Sequence, residues 1–254
     1  MRTAYTRTGA GETLVLIHGV GLDRYMWDDI LTDLSPQFDV IAYDILGHGQ
    51  SPLPSEEAQL AEYVDQLLAV MDDLHIKTFH LLGFSMGALI AQAVALKVPD
   101  RVTKLILLNS VYQRDGEQRQ AILERLKTLE REGLAPSCER AIQRWFMDEP
   151  QHPRISWIKE RMLTNDIQGY TRSYRRFALA DVELPPQQIS NNTLVMTGEL
   201  DPNSTPAMSK ALASQLQNAE LVIIPRQRHM MPITAARQVA QKVIHFVSNH
   251  DSSL

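Results

Sequence analysis

Short apolar runs alternate with amphipathic stretches along the first hundred residues. Thr13-Leu14-Val15-Leu16-Ile17, Asp39-Val40-Ile41-Ala42-Tyr43, Thr78-Phe79-His80-Leu81-Leu82 and Val102 to Leu108 are compact and rich in Val, Ile and Leu. Runs of this kind predict strands buried on both faces. Between them, residues 24 to 34 carry Met26, Trp27, Ile30, Leu31 and Leu34 at helical spacing. Ser55 with Glu56, Glu57 and Ala58 behind it predicts a helix start, and that helix carries Leu60, Tyr63, Val64, Leu67, Leu68 and Met71 on one face. A third helix is predicted from Ala88 to Lys97. Near-continuous apolar strands separated by helices indicate a mostly parallel sheet covered on both faces, an α/β fold.

The alternation stops after Asn109. Residues 112 to 188 hold only helical patterns, over Glu117 to Arg131, Ser137 to Met147, Ile155 to Leu163 and about Ile167 to Ala180, closed by Pro185-Pro186. Strand patterns resume at Thr193 to Thr197 and Leu221 to Ile224, and a last helix is predicted from Ala235 to Val247. The expected organisation is one core domain, 1–111 and 189–254, with an all-helical lid, 112–188, inserted over the strand ends where such sheets bind ligands.

Composition narrows the function classes. The chain has 254 residues, 44% hydrophobic and 22% charged, with a net charge of −5. That balance gives no electrostatic reason to expect nucleic acid or an anionic membrane as partner. The single cysteine, Cys138, excludes an internal disulfide and a multi-cysteine metal site, and agrees with a reducing cytoplasm. The first residues lack the apolar segment of a signal peptide, and no apolar run reaches the length of a membrane span. The expectation is a soluble cytoplasmic protein.

The most specific chemistry lies at Gly83-Phe84-Ser85-Met86-Gly87, directly between a predicted strand and a predicted helix. A serine on a sharp strand-to-helix turn is held in a strained conformation, and β-carbons two residues to either side would collide with neighbouring backbone. Glycine at 83 and 87 removes them.

Further landmarks follow in order: His18-Gly19-Val20-Gly21, Asp44-x-x-Gly47-His48-Gly49-x-Ser51, Gly198-x-x-Asp201 and His229. With these the chain resembles the α/β-hydrolases over essentially its whole length. It is most similar to the 3-oxoadipate enol-lactonase-like branch, through Gly87-Ala88-Leu89-Ile90-Ala91-Gln92, Arg144-Trp145-Phe146, Gly169-Tyr170, Asp201-Pro202 and Thr205-Pro206. Two departures stand out. Arg228 precedes His229 where a glycine is frequent, and only Ala4 to Thr8 stands where the leading strands are expected.

The order Ser, acid, His of that fold assigns the triad. Only His229, His245 and His250 follow the last strand, and His245 and His250 fall within or beyond the terminal helix, leaving His229 as general base. Asp201, just past the strand at 194–197, is the acid, with Glu199 its neighbour and alternative; the position after the earlier strand reads Asn109-Ser110, without a carboxylate. The resemblance further implies that His18 and His48 brace turns. It places the oxyanion-hole N–H groups on Val20 and Met86 and requires no metal or organic cofactor. A serine at position 85 rather than an aspartate argues against dehalogenase and epoxide hydrolase chemistry.

Specificity rests on less. Trp27, Trp145, Phe146, Met162, Phe177 and Met230 are the candidate substrate-pocket residues, each able instead to be core. Arg172, Arg175 and Arg176, or Arg144, could meet an anionic substrate or form a solvated face. The expected function is hydrolysis of a small carboxylic ester or lactone through an acyl-enzyme on Ser85. The alternatives are carbon–carbon bond hydrolysis of ring-cleavage products and a slow-turnover, receptor-like role with a protein partner.

Overall fold

Each predicted apolar run forms a strand in the computed structural model, which describes residues 2–180 and 183–249. The strands are β1 (Tyr5–Thr8), β2 (Thr13–Ile17), β3 (Asp39–Tyr43), β4 (Phe79–Phe84), β5 (Val102–Leu108), β6 (Thr193–Gly198) and β7 (Ala219–Ile224). They form one sheet in the order β1-β3-β2-β4-β5-β6-β7. All neighbours are parallel except β1, which runs antiparallel to β3 and pairs Tyr5 with Tyr43.

Strand side chains alternate between two cores. Val15, Ile17, Ile41, Tyr43 and Leu81 belong to one face, while Leu14, Leu16, Val40, Ala42 and Leu82 belong to the other. The first face is covered by α2 (Leu60–Asp73), α3 (Met86–Lys97) and α8 (Pro206–Gln215), the second by α1 (Asp28–Leu34) and α10 (Ala236–Ser248). The inner strands β2, β3, β4 and β6 are wrapped on both sides and buried almost throughout, while the edge strands β1 and β7 keep exposed positions. Burial on both faces is why the inner strands read as continuous apolar runs.

Two local predictions need correction. The stretch 24–34 is not one helix: a 3-10 turn over Arg24–Trp27, capped by the Asp23 side chain, precedes α1. The helix expected at Ser55 begins at Leu60, where Gln59 and Glu62 form a reciprocal capping box. The Ser55 hydroxyl and N–H instead donate to the Glu62 carboxylate, so Ser55 serves the cap from outside the helix.

Between β5 and β6 the chain makes four helices, α4 (Gly116–Glu132), α5 (Leu134–Trp145), α6 (Ile155–Leu163) and α7 (Ile167–Leu179). A short helix, α9 (Met231–Thr234), which the sequence pattern does not predict, stands before α10. The connection after β2 runs to β3 on one side, whereas the connection after the neighbouring β4 runs to β5 on the other. The loops after β2 and β4 therefore open a crevice at adjacent strand ends, the usual ligand position of an open parallel sheet.

Candidate active site

Ser85 sits between β4 and α3 with φ 55° and ψ −114°, a conformation that costs a non-glycine residue on the order of 1–3 kcal/mol. The close approach that this turn demands is measured by its glycines. A β-carbon at Gly83 would lie 2.1 Å from the Gly87 carbonyl oxygen, and one at Gly87 would lie 2.2 Å from that of Ile17. Backbone bonds hold the turn: Ser85 N–H donates to Leu108 O at 2.9 Å. Ser85 is buried, 4% exposed, at the N-terminus of an apolar helix whose dipole favours negative charge there.

The loop after β7 brings His229 to it. Ser85 Oγ lies 3.2 Å from His229 Nε2, and His229 Nδ1 lies 2.8 Å from Asp201 Oδ2. A carboxylate only accepts, so Nδ1 carries the proton and Nε2 is left free to accept from the serine. Asp201 is buried. Burial opposes its ionisation, but the charge and hydrogen bond of His229, the Asn109 amide and the Asn203 N–H outweigh it and hold the carboxyl below its ordinary range. Asn109 Nδ2 donates to Oδ2 at 2.7 Å, and the Asn203 and Ser204 N–H groups donate to Oδ1 at 2.8 and 3.2 Å. Glu199, the other candidate acid, turns outward and accepts from Arg226 N–H.

Val20 belongs to the loop after β2, and Met86 opens α3. Neither N–H has a hydrogen-bond partner among the described residues. The first N–H groups of a helix have no acceptor within it. Two histidines shape the Val20 loop. His48 Nε2 accepts from Gly21 N–H at 2.9 Å, and His18 Nε2 accepts from Ile45 N–H at 3.0 Å, while their Nδ1 groups donate to the Leu46 and Gly19 carbonyls. Both rings must be neutral to accept. Burial first, then the nearby His18, pushes His48 down to about 3; burial also dominates the lowering at His18.

A buried ion pair underlies this loop. Arg24 bonds the Asp44 carboxylate, which also accepts from the N–H groups of Arg24 and Gln50, each at 2.9 Å. Gly49 is required beside it, since a β-carbon there would lie 2.1 Å from Asp44 Oδ2. The Asp44 to Ser51 motif is thus structural.

A cavity of about 390 Å³ opens over Ser85 and His229, between the strand ends and helices α4, α5 and α7. Of the six candidate pocket residues, Trp145 and Phe177 line it. Trp145 stacks on His229, with ring centroids 6.0 Å apart and planes 26° from parallel.

The other four are corrected to packing residues. Trp27 is buried edge-on against Phe84, Phe146 packs on His152, and Met162 and Met230 are buried in the core of the second sheet face. Apolar character alone does not separate wall from core.

The sequence reading missed Tyr170, Tyr174, Arg125 and Asn203 in the wall. Tyr170, Tyr174 and Phe177 recur at helical spacing, a signal that was available. Arg172 and Arg175 point elsewhere, to the Pro54 carbonyl and Glu130, and Arg176 pairs with Glu183. Arg228, in the place of the frequent glycine, pairs outward with Asp148.

Cys138 is buried in α5, its thiol pushed up to about 11 by burial and by Glu139. His245 is bonded to Asn249 at the end of α10, and His250 lies outside the described residues.

The arrangement places a base within hydrogen-bond reach of a hydroxyl, an acid behind the base, and two free N–H groups near a cavity. Residues 12–236 match the family model described as alpha/beta hydrolase fold, and the chain belongs to that family. It is 36% identical over 244 residues to the (E)-2-((N-methylformamido)methylene)succinate hydrolase of Acinetobacter baylyi, covering 94% of this chain and 92% of that protein. It is 28% identical over 216 residues to 3-oxoadipate enol-lactonase 2 of the same organism, covering 83% and 79%. Among solved structures, the enol-lactonase from Burkholderia xenovorans LB400 superposes with a TM-score of 0.89 at 25% identity, over 97% of this chain and 96% of that one.

Proposed function

We propose that this hydrolase cleaves small carboxylic esters or lactones through an acyl-enzyme on Ser85. The observation that carries the reading is the continuous hydrogen-bond line from Ser85 Oγ through His229 to Asp201 at the floor of the cavity. As Ser85 Oγ attacks the carbonyl carbon, its proton passes to His229 Nε2, and Asp201 stabilises the imidazolium. The oxyanion is held by the N–H groups of Val20 and Met86. Collapse breaks the bond to the alcohol oxygen, which takes the proton from Nε2. Water, giving a proton to His229 Nε2, then attacks the acyl carbon, and as the bond to Oγ breaks Nε2 returns that proton to Ser85 Oγ, releasing the acid. Each step uses groups of the chain and water, so no metal or organic cofactor enters.

Residues 112–188 act as the lid domain and 1–111 with 189–254 as the core. Walls contributed by α4, α5 and α7 support that division. The single cysteine supports a cytoplasmic enzyme. The relatives' names span a substituted succinate and an enol-lactone, so the scissile bond is decided by assay. The test is steady-state hydrolysis of short 4-nitrophenyl esters, γ- and δ-lactones and an enol-lactone by the wild type and Ser85→Ala. Turnover that falls by about 10⁴–10⁶ in the variant is expected. Turnover that survives in Ser85→Ala would overturn the reading, as would a single burst without turnover.

A further inference from the structure

The Gly19-Val20-Gly21 loop carries the N–H assigned to the oxyanion, and its two glycines adopt either hand of φ at little cost. Gly21 sits at φ +88°, and Gly19 lies so near the nucleophile that a β-carbon on it would be 3.3 Å from Ser85 Cβ. Core groups hold one side of the loop. The Gly19 carbonyl accepts from His18 Nδ1 at 2.8 Å and from Leu22 N–H at 3.3 Å, and Gly21 N–H donates to His48 Nε2 at 2.9 Å. A further bond comes from the inserted helices. Asn165, half-buried in the link between α6 and α7, donates from Nδ2 to the Gly21 carbonyl at 3.0 Å.

The same nitrogen faces the carbonyls of Arg161 at 2.9 Å and Met162 at 3.3 Å, in the last turn of α6. Three carbonyl oxygens around one atom admit only the NH₂ end of the amide, which fixes the orientation of Asn165. The side chain therefore closes the α6 end and grips the Gly21 carbonyl at once. Neighbouring side chains of α6 and α7 pack on the same glycine: a β-carbon at Gly21 would lie 2.8 Å from Tyr170 Cε2 and 3.4 Å from Met162 Cε. Gly21 is thus held at its N–H by a core histidine and at its carbonyl by an amide from the inserted helices.

We propose that Asn165 is a positioning residue for the oxyanion hole: by fixing the Gly21 carbonyl it holds the loop so that the Val20 N–H can meet the oxyanion beside Ser85. The inference rests on the acyl-enzyme reading, which gives that N–H its task. A donor must lie about 2.7–3.1 Å from the oxyanion, and removing one costs about 10²–10³ in kcat. A loop free to turn its peptides is in that geometry only part of the time, so losing the clamp lowers kcat by less than losing the donor. The clamp also couples the seating of α6 and α7 to the formation of the hole.

The test compares Asn165→Ala and the isosteric Asn165→Asp, which when ionised cannot donate, with Thr164→Val. Thr164 Oγ1 donates to the Glu160 and Arg161 carbonyls at 3.0 and 3.2 Å, so its loss weakens the same helix end and spares the Gly21 bond. With a short 4-nitrophenyl ester, kcat should fall about 10–100-fold in both Asn165 variants while KM stays within about threefold of wild type. Thr164→Val should leave kcat nearly unchanged. The Ki of butylboronic acid, whose tetrahedral adduct on Ser85 puts an oxygen in the hole, should rise in step with the fall in kcat. Hydrogen exchange over residues 19–22, read by mass spectrometry, should quicken about tenfold in the Asn165 variants alone. An unmoved kcat, a loss carried by KM, or an equal loss in Thr164→Val would overturn the proposal.

Should the wild type turn over no ester, the ester reading falls and hydrogen exchange decides the proposal. Faster exchange in Asn165→Ala but not in Thr164→Val upholds the hold on the loop. Exchange equal to wild type in Asn165→Ala overturns it, with or without turnover.

Discussion

Asn109 Nδ2 and His229 Nδ1 donate to the same oxygen of Asp201, at 2.7 and 2.8 Å. Asn109 follows β5, where an acid would stand in the alternative arrangement, and it stands there with φ 50°, a left-handed conformation that asparagine tolerates better than most residues. Its amide both fixes the carboxylate and favours its charged form.

Asn109→Ala therefore removes a donor to a buried carboxylate and leaves a strained backbone. We expect kcat/KM to fall by about tenfold, and the acid limb of its pH profile to move to higher pH as the Asp201 carboxyl loses a partner. A pH–rate series against wild type checks this. An unmoved acid limb would confine Asn109 to packing.

Asp201→Asn tests the tautomer argument. An amide at this position can present its NH₂ to Nδ1, which turns the proton onto Nε2 and removes the acceptor facing Ser85. A loss in kcat on the order of 10⁴ is expected with the fold retained, read by steady-state kinetics beside circular dichroism. A loss of less than about tenfold would show that Asp201 is not the orienting acid.

The paired bracing histidines make stability depend on pH. His48 is held at about 3 in the folded chain, against about 6.5 when unfolded. Between those values the unfolded chain binds more protons, so the contribution is fully present above pH ~6.5 and is lost as pH falls towards the folded value. His18, also lowered, acts with the same sign. Asp201 adds a loss of that sign only below about pH 4. Urea unfolding between pH 4.5 and 6.5 should show wild-type stability rising with pH. His48→Gln, whose amide oxygen can still accept from Gly21, should have a slope smaller by up to about 1.4 kcal/mol per pH unit. Equal slopes would contradict a neutral, buried His48.

Arg24→Met leaves the Asp44 carboxylate buried with backbone donors alone. Breaking a buried pair from one side costs about 3–5 kcal/mol, while Arg24→Met/Asp44→Asn should recover part of it. Chemical unfolding of the two variants checks the difference. Equal stabilities would mean that the pair is not coupled.

The strands were legible because a sheet covered on both faces leaves no polar alternation to confuse the pattern. Ser85, Asp201 and His229 could be picked out because few candidates stand at the right strand ends. The pocket was not legible in the same way. Trp27 and Trp145 are equally apolar in the sequence, and only the third dimension puts one under Phe84 and the other on His229. The helix start at Ser55 misled because the true cap, Gln59, belongs to a residue type seldom found there; its partner Glu62 was the better sign. Nothing in the sequence sets Arg125 apart from the other arginines of α4; its place in the wall follows from α4 and α5 lining one cavity.

The central claim is that Ser85 is the nucleophile of an acyl-enzyme. The most direct measurement is reaction with a fluorophosphonate, followed by intact-mass and peptide-mass analysis. One adduct per chain is expected, on Ser85, with activity lost in proportion to labelling and no adduct in Ser85→Ala. An unlabelled Ser85, or activity that survives complete labelling, would contradict it.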